Sequence, residues 1–160
     1  MVYILDTNII RKLLFHFPKK GKVFEDIWEK LDQGIVEGKY ISVDECFNEL
    51  EAQFSKDLDA FKWINERKHM FKNPDSAESL IIRDLFKNPK MRESIHTKNI
   101  LANRPSADIY IAVKAKQLQA KVVTAEEYKP HSAQLPNICE NLGVSCITFD
   151  DFMDCVTQRP

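Results

Sequence analysis

The sequence predicts an α/β fold, with a central parallel sheet of about four short strands and helices on both faces. Three observations lead there. Four brief apolar runs, Val2–Leu5, Tyr40–Val43, Lys121–Thr124 and Val144–Thr148, have the length and residue types of strands. Between them lie longer stretches whose apolar residues recur at helical spacing. Strands separated in this way by helices form a parallel sheet joined by right-handed crossovers, with helices covering both of its faces.

Each element has a local reason. Val2–Leu5 is apolar at successive positions, as in a strand covered on both sides. Asn8–Phe17 reads as a helix that ends before Pro18 and the "PKKGK" loop. Phe24, Ile27, Trp28, Leu31 and Ile35 fall on one face of a second helix, which stops near Gly38. After the strand Tyr40–Val43, "DECFNELEAQF" places Phe47, Leu50 and Phe54 on one side of a third helix. Asp57 to about Met70 continues helical, with Leu58, Phe61 and Ile64 as its stripe. Asp75 and Glu78 have the spacing of a capping box and open a helix through Phe86. Lys87–Pro105 is polar and basic and reads as a loop or a broken helix, and Ser106–Gln119 as a helix. Following the third strand, a loop with Pro130 and Pro136 leads into "NICENL", closed by Gly143 as a left-handed cap. Asp150–Val156, after the fourth strand, is the last helix. With no repeat and no low-complexity linker, residues 1–160 read as one domain.

Composition excludes several classes. Hydrophobic residues are 44% and charged residues 29%, ordinary for a water-soluble globular chain. No apolar run is long enough to span a bilayer, and "MVYILDTN" lacks the basic start and small-residue cleavage site of a secretory signal, so a cytoplasmic protein with no membrane partner is expected. Cys46, Cys139, Cys146 and Cys155 include no C-x-x-C pair and are expected to be reduced thiols; Cys139 and Cys146 lack the partners a zinc site would need. His16, His69, His96 and His131 are scattered, without chelating spacing. Four glycines, with neither G-x-G-x-x-G nor a P-loop, leave little support for a nucleotide-binding protein. Net charge is -1, but the charges are segregated. Thr7–Phe24 carries Arg11, Lys12, Lys19, Lys20 and Lys22 and no acid, and Lys87–Arg104 carries five bases against Glu93 alone. Such runs can form a positive rim for a polyanion, although a single basic run is usually just a solvated face.

The chemistry rests on acids. Asp6 ends the first strand, at the edge where open α/β sheets bind ligands. Glu49 lies one to two turns into the helix after the second strand, Asp108 in the first turn of the helix before the third, and Glu126 two residues past the third. Taken singly, each has a plain alternative: Asp6 as a helix N-cap, Glu49 as a solvated helix acid, Asp108 as a complement to the helix dipole, Glu126 as a loop acid. Taken together they can converge on one cleft. Carboxylates that close cannot all stay ionised without a counter-charge. Mg²⁺ or Mn²⁺, hard ions that prefer oxygen ligands, would supply it, and an acid-only cluster beside basic rims points to metal-assisted phosphodiester chemistry.

Four segments in order, "VYILDTN", "ISVDECFNEL", "SADIYIAVKA" and "KVVTAEE", resemble the PIN-domain nucleases along nearly the whole chain. The ending "LPNICENLGVSCITFDDFM" resembles a less-studied PIN-like branch from bacteria and archaea. The resemblance implies a PIN-like fold with an acidic pocket for Mg²⁺ or Mn²⁺, and hydrolysis of RNA to a 5′-phosphate and a 3′-hydroxyl. It makes Asp6, Glu49 and Asp108 the main acids, with Thr7 and Thr124 as supporting hydrogen-bonders. Many members are toxins of toxin–antitoxin pairs, commonly dimeric and blocked by a protein partner. One departure concerns the fourth acid: the family has Asp in T-x-D, where this chain has Glu126 with Glu127 beside it. The long helical middle, Asp57–Arg104, also departs from compact members.

The expectation is thus a metal-dependent endoribonuclease. Asp6, Glu49, Asp108 and Glu126 form its catalytic metal pocket, and Arg11, Lys12 and Arg104 hold the RNA backbone. The rival from another class is a PIN fold that binds RNA or a protein partner without cutting. A phosphotransferase using Asp6 as nucleophile would instead carry a phosphoaspartate.

Overall fold

A computed structural model describes residues 1–17, 19–54, 58–102 and 106–158. In chain order the elements are β1 (Tyr3–Leu5), α1 (Thr7–His16), α2 (Lys22–Val36), β2 (Tyr40–Val43), α3 (Asp44–Phe54) and α4 (Leu58–Glu66). A single 3₁₀ turn (Lys68–Met70) then leads to β3 (Phe71–Lys72), α5 (Ser76–Leu85), α6 (Pro89–Ala102) and α7 (Ala107–Leu118). The chain ends with β4 (Lys121–Val123), α8 (Leu135–Leu142), β5 (Cys146–Ile147) and α9 (Phe149–Thr157). The strands form one parallel sheet in the order β3-β2-β1-β4-β5. The register sets Tyr3 beside Tyr40 and Lys121, and Leu5 beside Val123.

Side chains alternate across this sheet and define its two layers. Tyr3 and Tyr40 turn to Phe152 of α9, their rings 5.9 and 5.1 Å from it, and α2 packs on the same side against β2 and α9. There Gly34 has a steric reason: a Cβ would run into the Tyr40 ring, so only glycine lets helix and ring meet. Ile4 and Ile41, one position along, face the other layer. That layer centres on α7, which packs on β1, β2 and β4 and is flanked by α3, α5 and α8. Because α7 is covered on nearly all sides, Ile109, Ile111, Ala112, Val113 and Ala115 are all buried, and its alanines allow the close approach.

The fold class matches the sequence expectation, with differences that have local causes. The sheet has five strands, the extra one being the two-residue β3, just past the stretch expected to be helical to about Met70. The helix expected from Asp57 ends at Glu66; its expected start lies outside the described residues. Of the two readings of Lys87–Pro105, a loop or a broken helix, the described part is one helix, α6, over Pro89–Ala102. Asn88 starts it by accepting the N–H groups of Lys90 (3.1 Å) and Met91 (3.2 Å), with Pro89 in the first helical position. The capping box at Asp75 is half formed. Asp75 accepts the Glu78 N–H at 3.1 Å, but the Glu78 side chain turns inward to pair with Lys114. A complete box forms at Thr148 and Asp151. Gly143 takes the expected left-handed conformation, φ 68°.

Candidate active site at the carboxyl edge of the sheet

From β1 the chain crosses first to β2 and β3, then returns to place β4 and β5 on the other side, so strand order reverses between β1 and β4. The crevice beyond those two strand ends is where open α/β sheets bind ligands. Asp6 follows β1 there and Thr124 follows β4. Their side chains meet across the switch point, Thr124 Oγ1 donating to Asp6 Oδ2 at 3.0 Å. The other oxygen, Oδ1, accepts the Thr7 N–H at 2.7 Å, so Asp6 also caps α1. The two readings of this residue are therefore compatible: a cap for α1 and a carboxylate facing the crevice.

The remaining acids are held by equally specific bonds. Glu49 projects from α3 and accepts the Thr7 hydroxyl on Oε2 at 2.7 Å. Glu126, half-buried, accepts the Leu135 N–H at the start of α8 on Oε2 at 2.8 Å, where the positive end of the helix favours a carboxylate. Its own N–H donates to Thr124 Oγ1 at 3.1 Å. Glu127, the other candidate for the fourth acid, is exposed. Asp108 lies at the start of α7, where the hydroxyl of the N-cap residue Ser106 accepts its N–H at 3.2 Å.

These acids repel one another, and their protonation reflects it. Burial, followed by repulsion from Asp108 and Glu126, pushes the Asp6 acid from its usual 3.8 up to about 7, against the pull of its bonds from Thr124 and the Thr7 N–H. Glu126 is also raised, first by burial and then by Asp108, with a smaller push from Glu49. Beneath them, burial and then Asp6 hold the Cys46 thiol up at about 12, so it stays protonated and unreactive. Cys139 and Cys146 are in side-chain contact, the Cys139 thiol donating to Cys146 and lowering the latter's pKa. All four cysteines are free; Cys46 and Cys139 are buried, and Cys155 is exposed.

Sequence reasoning missed one residue of the pocket. Lys98, on α6, forms an ion pair with Asp108 Oδ2 and donates to the Ala133 carbonyl at 3.3 Å. Read as part of a loop or a broken helix, it counted only toward a basic rim. The overlooked signal was Asn88-Pro89, a helix start that fixes the direction of everything after it. Of the expected RNA contacts, Arg11 leans over the Phe15 ring (6.0 Å) and Lys12 over the Phe149 ring (4.2 Å), both on α1. Arg104 lies outside the described residues.

An all-oxygen set of mutually repelling carboxylates, one of them protonated near neutrality, is the chemistry a hard divalent cation relieves. The set is not drawn together to ligating distance: among the described residues, no three acidic, histidine or cysteine side chains are grouped closely enough to hold a metal ion. The bonds above explain the spacing, since Asp6, Glu49, Glu126 and Asp108 each have an oxygen engaged elsewhere.

Two solved structures share this architecture over nearly their full length. One is a chain of VapBC2 from Rickettsia felis, in a complex bound to a DNA fragment from their promoter; it has a TM-score of 0.52 and 16% identity and covers 92% of this chain and 98% of its own. The other is a chain of VapBC-1 from nontypeable Haemophilus influenzae, with a TM-score of 0.51 and 18% identity, covering 94% and 99%. Identities this low establish the fold, which is PIN-like. No match is found among curated protein sequences. Residues 3–158 match the family described as Domain of unknown function (DUF4411), and the chain belongs to that family.

Proposed function

We propose that this protein is a divalent-metal-dependent endoribonuclease. The observation that carries the reading is Asp6: a buried acid at the topological switch point, pushed up to about 7 by burial and by two acids from distant parts of the chain. A buried cluster of like charges costs stability unless a ligand offsets it. Asp6, Glu49 and Asp108 would hold Mg²⁺ or Mn²⁺, with Glu126 completing the pocket. When bound, such an ion makes a water acidic enough to attack phosphorus and neutralises charge growing on the phosphate.

The chain's own residues do the positioning. Thr7 fixes two acids at once, its N–H on Asp6 and its hydroxyl on Glu49. Thr124 orients Asp6, and the start of α8 orients Glu126. Arg11, Lys12 and Arg104 would contact the RNA backbone without reading sequence. The likeness to VapBC chains supports a toxin restrained by a cognate antitoxin; cytoplasmic action and pairing as a homodimer belong to the same reading and rest on the family resemblance of the sequence alone. Among the described residues no helix is long and apolar enough to cross a membrane.

A second reading has a specific observation in its favour. The acids are not gathered at ligating distance, and Lys98 already pairs with one of them. A PIN fold that binds RNA or a protein partner without cutting would tolerate that. Purified protein incubated with RNA and Mn²⁺, with and without EDTA, separates the two. The nuclease reading expects cleavage that EDTA abolishes and Asp6→Asn removes. Equal cleavage by Asp6→Asn, or none by the native chain, removes the nuclease reading, and RNA bound without cleavage selects the binding module.

A further inference from the structure

We propose that Lys98 is the resident counter-ion of the acidic pocket, holding Asp108 in the metal-free protein and giving it up when a divalent ion enters. The inference rests on the metal-dependent reading above and concerns how the site is kept and filled. Its first support is contact. The Lys98 ammonium meets Asp108 Oδ2 and also reaches the Ala133 carbonyl at 3.3 Å, bridging α7 to the loop before α8. That loop continues into the Leu135 N–H that anchors Glu126, so one side chain spans the ground between two of the acids.

The second support is the anchoring of its base. The neighbouring residue, Asn99, accepts the Ser106 N–H on Oδ1 at 3.0 Å. Ser106 is in turn the N-cap of α7, accepting the Asp108 N–H at 3.2 Å. Helix α6 is therefore tied to the first turn of α7 at two adjacent residues, one bond holding backbone and the other holding the carboxylate. The tether keeps Lys98 opposite Asp108, while four methylenes leave its ammonium free to swing.

The third support is exposure and charge. The Lys98 side chain is 29% exposed and that of Asp108 10%, so water and ions reach the pair. An ammonium offsets one charge of the cluster. A divalent ion offsets two and accepts oxygens from several acids together. Both compete for Asp108, and the ammonium must leave for the ion to take that oxygen. The pair holds Asp108 on the α6 side of the crevice.

Calorimetric titration of Mn²⁺ into the purified full chain at fixed pH and ionic strength tests this, with folding of each variant checked by circular dichroism. Lys98→Met, and Lys98→Gln as a second neutral variant, are expected to bind Mn²⁺ at least about tenfold tighter than the native chain, the scale on which residues behind a metal ligand change affinity. Lys98→Arg keeps the charge and is expected to bind like the native chain. Native binding that is unchanged or weakened in both neutral variants overturns the counter-ion role and leaves the metal pocket standing. No Mn²⁺ binding by any of the four proteins removes the metal reading and this inference together.

Discussion

Helix α7 carries two lysine–carboxylate pairs that look alike on paper and differ in kind. Near its middle, Lys114 pairs with Glu78 of α5, with side-chain exposures of 6% and 1%. At its start, Asp108 pairs with Lys98 of α6 where water can reach. The first pair is sealed, and Lys114 is further fixed by donating to the Asn73 carbonyl at 2.9 Å. It braces α5 and the β3 segment against the central helix. The second faces a crevice crowded with other acids, where its lysine can be exchanged for another cation. Burial, more than the identity of the partners, separates a structural brace from an exchangeable contact.

The largest expected effect breaks the brace. Lys114→Met leaves Glu78 charged and buried without its partner, and about 3–5 kcal/mol of stability is expected to be lost in urea denaturation. Glu78→Leu combined with Lys114→Met removes both charges and is expected to recover most of it.

A pH titration sharpens the comparison from the side of the pocket. Folded Asp6 keeps its proton up to about 7, whereas the unfolded chain releases it near 3.8. Between those values the unfolded state binds fewer protons, so the Asp6 contribution to metal-free stability falls as pH rises from about 4 to about 7 and is flat above. The full difference corresponds to roughly 4 kcal/mol. Denaturation curves of Asp6→Asn, which cannot ionise, are expected to lack that slope. Metal affinity should run the other way, rising through pH 7 as Asp6 gives up its proton.

Smaller effects follow in the supporting bonds. Thr7→Val keeps the backbone N–H on Asp6 but frees Glu49, and Mn²⁺ affinity measured by calorimetry is expected to fall by about tenfold. The smallest is the stability change of metal-free Lys98→Met. With the Lys98 side chain reached by water, about 1 kcal/mol or less is expected in the same denaturation assay. A loss as large as that of Lys114→Met would make the two pairs equivalent and end the distinction.

Much of this was legible in the chain, for physical reasons. Strands β1 and β2 announce themselves because each is a short run of aromatic and branched apolar residues, broken only by Ser42 in β2, that ends at a helix start. The Asp6 position was legible because a carboxylate directly after a buried strand stands out. The two-residue β3 was not, since a pair of residues carries no periodicity. Helix α6 was hidden by its side chains: Met91 and Ile95 are buried, while Ile100 and Leu101 point outward, so no full stripe appears. Only its cap and proline declared it. Missing that helix meant missing Lys98, because the direction of a side chain depends on the element that carries it. The inward turn of Glu78 was equally invisible, since a capping box and a buried ion pair use the same residue and only packing decides between them.

In the proposed nuclease, acids from four separate segments bind divalent metal at the β1–β4 switch point. A crystal of the native chain soaked in Mn²⁺, with anomalous scattering collected near the manganese edge, tests it most directly. The expected result is a strong anomalous peak beside Asp6 and Asp108, with Lys98 turned away from Asp108. A fully soaked crystal with no peak in that crevice, or with Mn²⁺ bound only elsewhere, would contradict it.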